Sequence, residues 1–383
     1  MGSNFKMVAK TLFGFEELLA KELKDLGALH IQKGMRMVGF EGDTGFMYKA
    51  NLACRTAIKI LKPIHTFTAR NEDELYQGIY KMDWSIYLQE TQTFAIDATV
   101  FSELFNHSKY IALKTKDAIA DQFRERKGVR PSVDTQSPDL RINIHINQTE
   151  CTVSLDSSGA SLHLRGYKTD TNIAPINEVL AAGLLLMAGW NGQCDFLDPM
   201  CGSGTILIEA AMIACNIPAN INRMEFACER WADYDNALFE KIKEVLLSKT
   251  REFPFKIKGY DIDFTAIKKA KINIHNAYLE DYIDVIHEDF FDSKKETEGK
   301  LLLLMNPPYD ERISIRTEEF YSDIGNTLKR NYANTDAWMI TANLEALKYV
   351  GLKPLPKIKV FNGNLEARLV RYEMYAGSRK KDS

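Results

Sequence analysis

The chain has 383 residues, with 49 lysines and arginines against 52 aspartates and glutamates, a formal net charge of −3, 45% hydrophobic and 26% charged residues. A single core stops growing near roughly 250–300 residues, so this length asks for two or three domains. The composition excludes a disordered chain, a collagen and a membrane bundle, and no apolar run approaches the ~20 residues that span a bilayer.

The chain begins with a strand at Phe5–Lys10 and a helix from Phe15 to Leu26, which Gly27 ends. Met37–Glu41 alternates like a strand, Gly45–Leu52 is helical and Ala57–Leu61 is again a strand. This β–α–β–α–β order predicts a small α+β sandwich over residues 1–64. A second unit, 65–164, follows. Asp73–Tyr80 and Tyr110–Arg126 have helical periodicity and Thr93–Val100 alternates like a strand. Arg141–Ile146 and Cys151–Ser157 read as a hairpin. Between Lys109 and Arg130 stand seven cations (Lys109, Lys114, Lys116, Arg124, Arg126, Lys127, Arg130) and three acids, a local +4 in a protein of net −3. Taken alone, that stretch fits a solvated helix face or a contact for a polyanion.

From residue 165 onward strands alternate with helices. The strands are Cys194–Leu197, Lys256–Asp261, Tyr282–His287, Leu301–Met305 and Ala337–Ala342. The helices are Glu178–Ala188, Thr205–Cys215, Phe264–Asn276 and Thr317–Tyr332. This predicts an α/β unit with a doubly wound, mostly parallel sheet over 165–383. Two last strands, Lys357–Phe361 and Ala367–Tyr375, flank the hairpin signal Asn362-Gly363-Asn364 and close it as an antiparallel hairpin.

Six cysteines, at 54, 151, 194, 201, 215 and 228, form no C-x-x-C and stand near no His pair at zinc spacing. They predict a reduced, cytoplasmic protein without a structural metal. The N-terminus has no signal-peptide core.

Four motifs follow strands of the third unit. Asp198-Pro199-Met200-Cys201-Gly202-Ser203-Gly204-Thr205 opens a helix at the carboxyl end of the first strand, where open α/β sheets bind ligands. It is not a dinucleotide fingerprint: Leu207 occupies the third glycine position, and the next strand-end acid, Asp261, comes 57 residues after Gly204. A P-loop is excluded as well. Asp-x-x-x-Gly-x-Gly suits a ligand without pyrophosphate whose cationic part lies near a carboxylate. Asp261, in Gly259-Tyr260-Asp261-Ile262-Asp263, is placed to accept from ribose hydroxyls, while Asp263 caps the next helix. Asp289, after the third strand, suits an adenine amino group, with Phe290 packing on the ring. Asn306-Pro307-Pro308-Tyr309 is a stiff loop. It offers the Asn306 amide oxygen and the Pro307 carbonyl to the two hydrogens of a planar amine, with Tyr309 to stack on its ring.

These four motifs in this order resemble the class I S-adenosylmethionine-dependent methyltransferases of exocyclic nucleobase amines. With residues 5–55, Asn106–Asp134 and Arg165–Trp190 they resemble more closely the THUMP-domain RNA methyltransferases, and among these the 23S rRNA guanine-N2 enzymes. The resemblance implies a ferredoxin-like domain (1–64), a THUMP RNA-binding domain (65–164) and a Rossmann-like class I methyltransferase domain (165–383). It implies S-adenosylmethionine as cofactor, held by Ala174, Pro175, Asp198, Pro199, Cys201, Gly202, Gly204, Thr205, Asp261, Ile262, Asp289 and Phe290. Asn306, Pro307 and Tyr309 would form the catalytic loop. RNA would be the partner, rRNA or alternatively tRNA, with Lys109, Lys114, Lys116, Arg124, Lys127 and Arg130 as contacts and no membrane or metal; the alternatives are adenine-N6 methylation of a nucleic acid and a non-catalytic RNA-binding or assembly protein that keeps a cofactor pocket. The chain departs from the family at Asp310, where a glycine is usual. The bifunctional members' second methyltransferase domain has no counterpart in the sequence, so their second activity is not expected.

Overall fold

A computed structural model describes residues 3–168, 176–308 and 317–375. The first unit runs β1 (Phe5–Thr11), α1 (Glu16–Leu26), β2 (Leu29–Gly34), β3 (Met37–Gly42), α2 (Thr44–Ala53) and β4 (Ala57–Thr68). The alternation of β1 points Met7, Ala9 and Thr11 into the core, and Gly27 ends α1 in the left-handed region at φ 103°. Strand β2 has no counterpart in the sequence reading. Its residues, Leu-His-Ile-Gln-Lys-Gly, are exposed or half-buried at a sheet edge, so no alternation marks them.

The second unit contains α3 (Glu72–Lys81), β5 (Thr93–Phe101), α4 (Ser108–Lys127), β6 (Ser132–Val133), β7 (Leu140–Asn147) and β8 (Glu150–Asp156). Its strands are not a separate sheet. The first half of β4 pairs with β1 and the second half with β8, giving one eight-stranded sheet of order β2-β3-β1-β4-β8-β7-β5-β6.

The third unit contains α5 (Glu178–Met187), β9 (Asp195–Asp198), α6 (Thr205–Ala214), α7 (Asn236–Leu247), β10 (Ile257–Asp261), α8 (Phe264–Asn276), β11 (Ile283–His287), β12 (Leu301–Met305), α9 (Thr317–Asn331), β13 (Thr335–Thr341), β14 (Lys357–Asn362) and β15 (Leu365–Met374). The sheet order is β11-β10-β9-β12-β13-β15-β14, with β9 to β13 parallel and β15 antiparallel between β13 and β14. Sequence order reverses between β9 and β12, the switch point at which such sheets open a ligand crevice.

Helices α5 and α6 are apolar almost all round, which only a helix covered on both sides tolerates. The sheet covers one side, and the first unit reaches over α5: a Cβ on Gly183 would stand 2.0 Å from the Phe15 ring. The insertion carrying α7 returns the grip. Phe226, Cys228, Trp231, Phe239 and Leu246 join the core of the N-terminal units, and the Tyr48 ring lies 5.6 Å from both Tyr234 and Phe239. Each large side chain buried this way contributes about 1.5–3 kcal/mol, so the units hold one another firmly.

Candidate cofactor and methyl-transfer site

Registers fix where the motifs meet. Gly259 pairs with Asp198 across β10 and β9, and Leu303 with Leu197 across β12 and β9. The carboxyl ends of three neighbouring strands therefore bring Asp198, Asp261 and Asn306 to one edge, at the switch point.

The turn after β9 is tied on every side. The Cys201 N–H donates to Tyr260 O (2.9 Å), the Gly204 N–H to Cys201 O (2.8 Å), and the Gly202 N–H to Asp261 Oδ2 (2.8 Å). From α8, Asn273 Nδ2 donates to Ser203 O at 2.9 Å. Gly202 and Gly204 have φ of 53° and 82°, and a Cβ on Gly204 would stand 3.3 Å from the Ala270 Cβ. A side chain here meets both backbone strain and the facing helix. Two residues of this framework escape the sequence reading. One is Asn273, a buried amide on an apolar helix face. The other is Gly259, where a Cβ would lie 2.3 Å from Leu207 and 3.1 Å from the Cys201 sulfur. A glycine inside a strand was the available signal for the second.

The charges are set for a cation. Asp198 is 1% exposed, and burial with Asp261 nearby pushes its carboxyl up to about 8, against one N–H bond from Met200 at 3.2 Å. Asp261 is less free than expected: Oδ2 holds Gly202 and Oδ1 accepts the Asp263 N–H at 2.9 Å. Each oxygen keeps a second lone pair, and Ile262 beside it is 68% exposed, an apolar shelf at the crevice edge. Asp263 caps α8, accepting the Thr265 N–H at 2.8 Å. The Cys201 thiol is buried and pushed up by burial, Asp198 and Asp261, which keeps it a protonated packing group.

Two polar atoms point nowhere. Thr205 Oγ1 and Asn306 Oδ1 are buried without a hydrogen-bond partner among the described residues. An orphaned buried acceptor costs about 1–3 kcal/mol, so its presence at a strand end calls for a ligand. Pro307 behind Asn306 is buried. Together with the glycine turn and the raised Asp198, these orphans fit a cofactor with a cationic head, a ribose and a flat base.

Phe290 corrects the expectation. Its ring is 3% exposed and packs against Tyr332 (5.5 Å) and Phe291 (5.7 Å) in the core, so it has no face for a base. Asp289 caps the short turn after β11, its Oδ1 accepting the Phe291 N–H at 2.9 Å. Tyr309, Ala174, Pro175 and Asp310 lie outside the described residues.

The cationic face of α4 is less open than its sequence implies. Lys114 pairs with Asp73 (3.1 Å), Lys116 with Asp117 (2.6 Å), Arg124 with Asp121 (3.1 Å) and Lys127 with Glu90 (2.8 Å). Arg126 pairs with Asp83 at 3.1 Å. Acids from α3 and the 83–90 turn face the helix, which counting along α4 alone cannot reveal. Lys109 and Arg130 are exposed and stand in no ion pair among the described residues. Among those residues, too, no cluster of three His, Cys, Asp or Glu side chains could hold a metal ion, and no helix is long and apolar enough to cross a membrane.

Comparison with known proteins shows the family of the chain. Residues 165–371 match the family model described as RMKL-like, methyltransferase domain, 69–156 a THUMP domain and 6–61 an RlmL ferredoxin-like domain. The Synechocystis sp. protein slr0064, provisionally named an RNA methyltransferase, is 37% identical over 94% of this chain and 95% of its own length. The ribosomal RNA large subunit methyltransferase K/L of Syntrophotalea carbinolica is 36% identical over 98% of this chain and 54% of its own. The chain thus spans about half the length of its K/L relatives. The crystal structure of SMU.472 complexed with S-adenosylhomocysteine, described provisionally as a methyltransferase, superposes with a TM-score of 0.86 at 30% identity, covering 99% of this chain and 100% of that one. A Listeria monocytogenes protein described as a predicted N6-adenine-specific DNA methylase gives 0.86 at 29% identity over 97% of each chain.

Proposed function

We propose that this chain, which belongs to the RMKL-like methyltransferase family and uses S-adenosylmethionine, methylates the exocyclic N2 amine of a guanosine in 23S rRNA. The observation that carries the reading is the buried Asn306 Oδ1 at the switch point, beside the glycine turn, with no hydrogen-bond partner among the described residues.

S-adenosylmethionine, when bound, supplies a methyl group already activated by its sulfonium. The chain need not make a strong nucleophile by covalent means. Its task is to make a poor one reactive, because the lone pair of an aromatic amine is delocalised into the ring. Asn306 Oδ1 and the Pro307 carbonyl accept the two amine hydrogens, favour a pyramidal nitrogen and offset the positive charge that develops on it. Asp198 faces the cationic head, Asp261 takes ribose hydroxyls at its remaining lone pairs and Ile262 supports the base. A paired guanine cannot reach such a loop, so the target leaves its stack at a cost of a few kcal/mol. Tyr309 stacking offsets about 1–3 kcal/mol of that. The ferredoxin-like unit (1–64) and the THUMP unit (65–164) hold the RNA, with Lys109 and Arg130 as contacts that stand in no ion pair among the described residues. The all-reduced, buried cysteines fit a cytoplasmic site of action.

The test is methyl transfer from labelled S-adenosylmethionine to protein-free 23S rRNA, tRNA and DNA, followed by nucleoside mass spectrometry. N2-methylguanosine in 23S rRNA supports the reading. N2-methylguanosine in tRNA alone moves the target, and N6-methyladenine in DNA replaces it.

A further inference from the structure

Three parts of the chain meet at one buried point behind the cofactor turn. Arg165, on the segment between β8 and α5, has a side chain with 0% exposure. Its Nε donates to Glu209 Oε1 at 3.2 Å, one terminal nitrogen donates to Leu162 O (2.8 Å) and Asn220 Oδ1 (3.0 Å), and the other to Arg55 O (2.6 Å). Glu209 lies on α6, one turn beyond Thr205. Asn220 follows α6, and its amide donates to Asn51 O of α2 at 2.7 Å. Arg55, just after α2, donates back to Met212 O (3.1 Å) and Ile217 O (2.7 Å), closing the C-terminal end of α6. On the far side of Arg55, Glu22 of α1 accepts the Arg55 N–H at 2.8 Å and the Thr56 N–H at 3.0 Å.

The helix gripped in this way is the one whose first residue closes the glycine turn. Its far end is held directly by Arg55 of the ferredoxin-like unit, and its middle through Arg165, which donates to Arg55 O; that unit shares its sheet with the THUMP unit. Stability alone does not account for the pair. Taking two charges out of water is expensive, and apolar residues of similar volume are commonly as stable or more so. What a buried polar network adds is direction: Glu209 Oε2 and Arg55 Nη1 have no partner among the described residues, but the bonds that are made form in one arrangement of its members.

We propose that Arg165 is a positioning residue. With Glu209 and Asn220 it fixes the RNA-holding units to α6, so that a nucleotide presented by those units arrives at the Asn306 loop in line with the methyl group. This inference rests on the reading of the chain as an RNA methyltransferase. Among the described residues Arg165 hydrogen-bonds to none of those assigned to cofactor or amine, and it acts through α6. The α7 insertion packs on α2 independently of the network, so its removal loosens the units without parting them.

The test replaces the charged pair by apolar side chains, Arg165→Met with Glu209→Leu, in the full chain. All six native cysteines are buried, so spin labels go selectively to Glu103→Cys in the THUMP unit and Lys271→Cys on α8, both exposed. The parent should give a narrow distance distribution and the double variant a broader or displaced one. Single-turnover methyl transfer to 23S rRNA at saturating cofactor and RNA should fall about 10²-fold, the scale for a displacement near 1 Å, while both affinities stay within about twofold. A folded double variant with the parent's distribution, or with the parent's rate, overturns the proposal. If the double variant does not fold, Asn220→Ala removes the side-chain ties to Arg165 and to Asn51 O and leaves the Arg165–Glu209 pair in place, and a distribution as narrow as the parent's in that protein overturns it equally. A parent that transfers no methyl to any RNA refutes the RNA reading instead, while the distances still judge the tether.

Discussion

Truncating Asn306 to alanine separates a structural role from a chemical one, because the two predict opposite things. Asn306 Oδ1 has no partner among the described residues, so alanine there breaks no hydrogen bond to that oxygen. It removes an orphaned buried acceptor, whose burial costs about 1–3 kcal/mol. The variant should therefore melt at the same temperature as the parent or higher, and calorimetry should find S-adenosylmethionine binding within about threefold, since no charge or ribose contact is touched. Chemistry should behave otherwise. One preorganised acceptor for a developing positive charge is lost, and removing one such partner typically costs about 2.7–4 kcal/mol, or 10²–10³ in rate. Single-turnover assays with saturating RNA read this directly. Asn306→Asp keeps an acceptor and adds a negative charge, so it should retain more activity than alanine. An alanine variant that melts lower and transfers methyl at a near-normal rate would refute the reasoning, because the side chain would then be a scaffold.

Further outcomes follow from the same geometry. Asp198, held up to about 8 by burial, is protonated below that pH, and pairing with a cationic head requires it to lose the proton. Cofactor affinity should therefore rise about tenfold per pH unit up to about 8 and level off above it, with proton release visible by calorimetry in buffers of different ionisation enthalpy; a flat profile removes Asp198 from the cation site. Asp261→Ala should weaken cofactor binding at least about tenfold, since about 1.5–3 kcal/mol of charge-assisted bonding and the Gly202 tie both go. Gly204→Val should abolish it while the N-terminal units stay folded, checked by circular dichroism. Lys109→Gln with Arg130→Gln should flatten the log–log salt dependence of RNA binding by about 0.7–0.9 per lost phosphate contact. The four paired cations Lys114, Lys116, Arg124 and Lys127 should matter less per charge, as titrations at several salt concentrations would reveal.

The sheet of the third unit is legible in the sequence because its central strands are buried on both faces. Runs such as Leu301–Met305 are apolar throughout, and the helices between them carry a different period. The motifs are legible because each sits where a strand ends, and strand ends are where this architecture gathers its chemistry. The edge strands of the other sheet are not legible: β2 and the two-residue β6 bury too little to impose alternation. Nor is the shared sheet, since the pairing of β4 with β8 joins residues such as Thr66 and Thr152 that no local pattern connects. Phe290 misleads for a related reason. Its ring finds Tyr332, 42 positions away, and no local pattern connects the two. Three of the five paired cations of α4 find acids elsewhere in the unit, at Asp73, Asp83 and Glu90, which counting along the helix does not show.

The central claim is that this chain places a methyl group on guanine N2 of 23S rRNA through Asn306. Nucleoside mass spectrometry of 23S rRNA from a strain lacking the gene, complemented in turn by the parent and by Asn306→Ala, tests it most directly. The account predicts that N2-methylguanosine falls in the deletion strain, returns with the parent chain and stays absent with the alanine variant. Unchanged N2-methylguanosine in the deletion strain, or full restoration by Asn306→Ala, would contradict it.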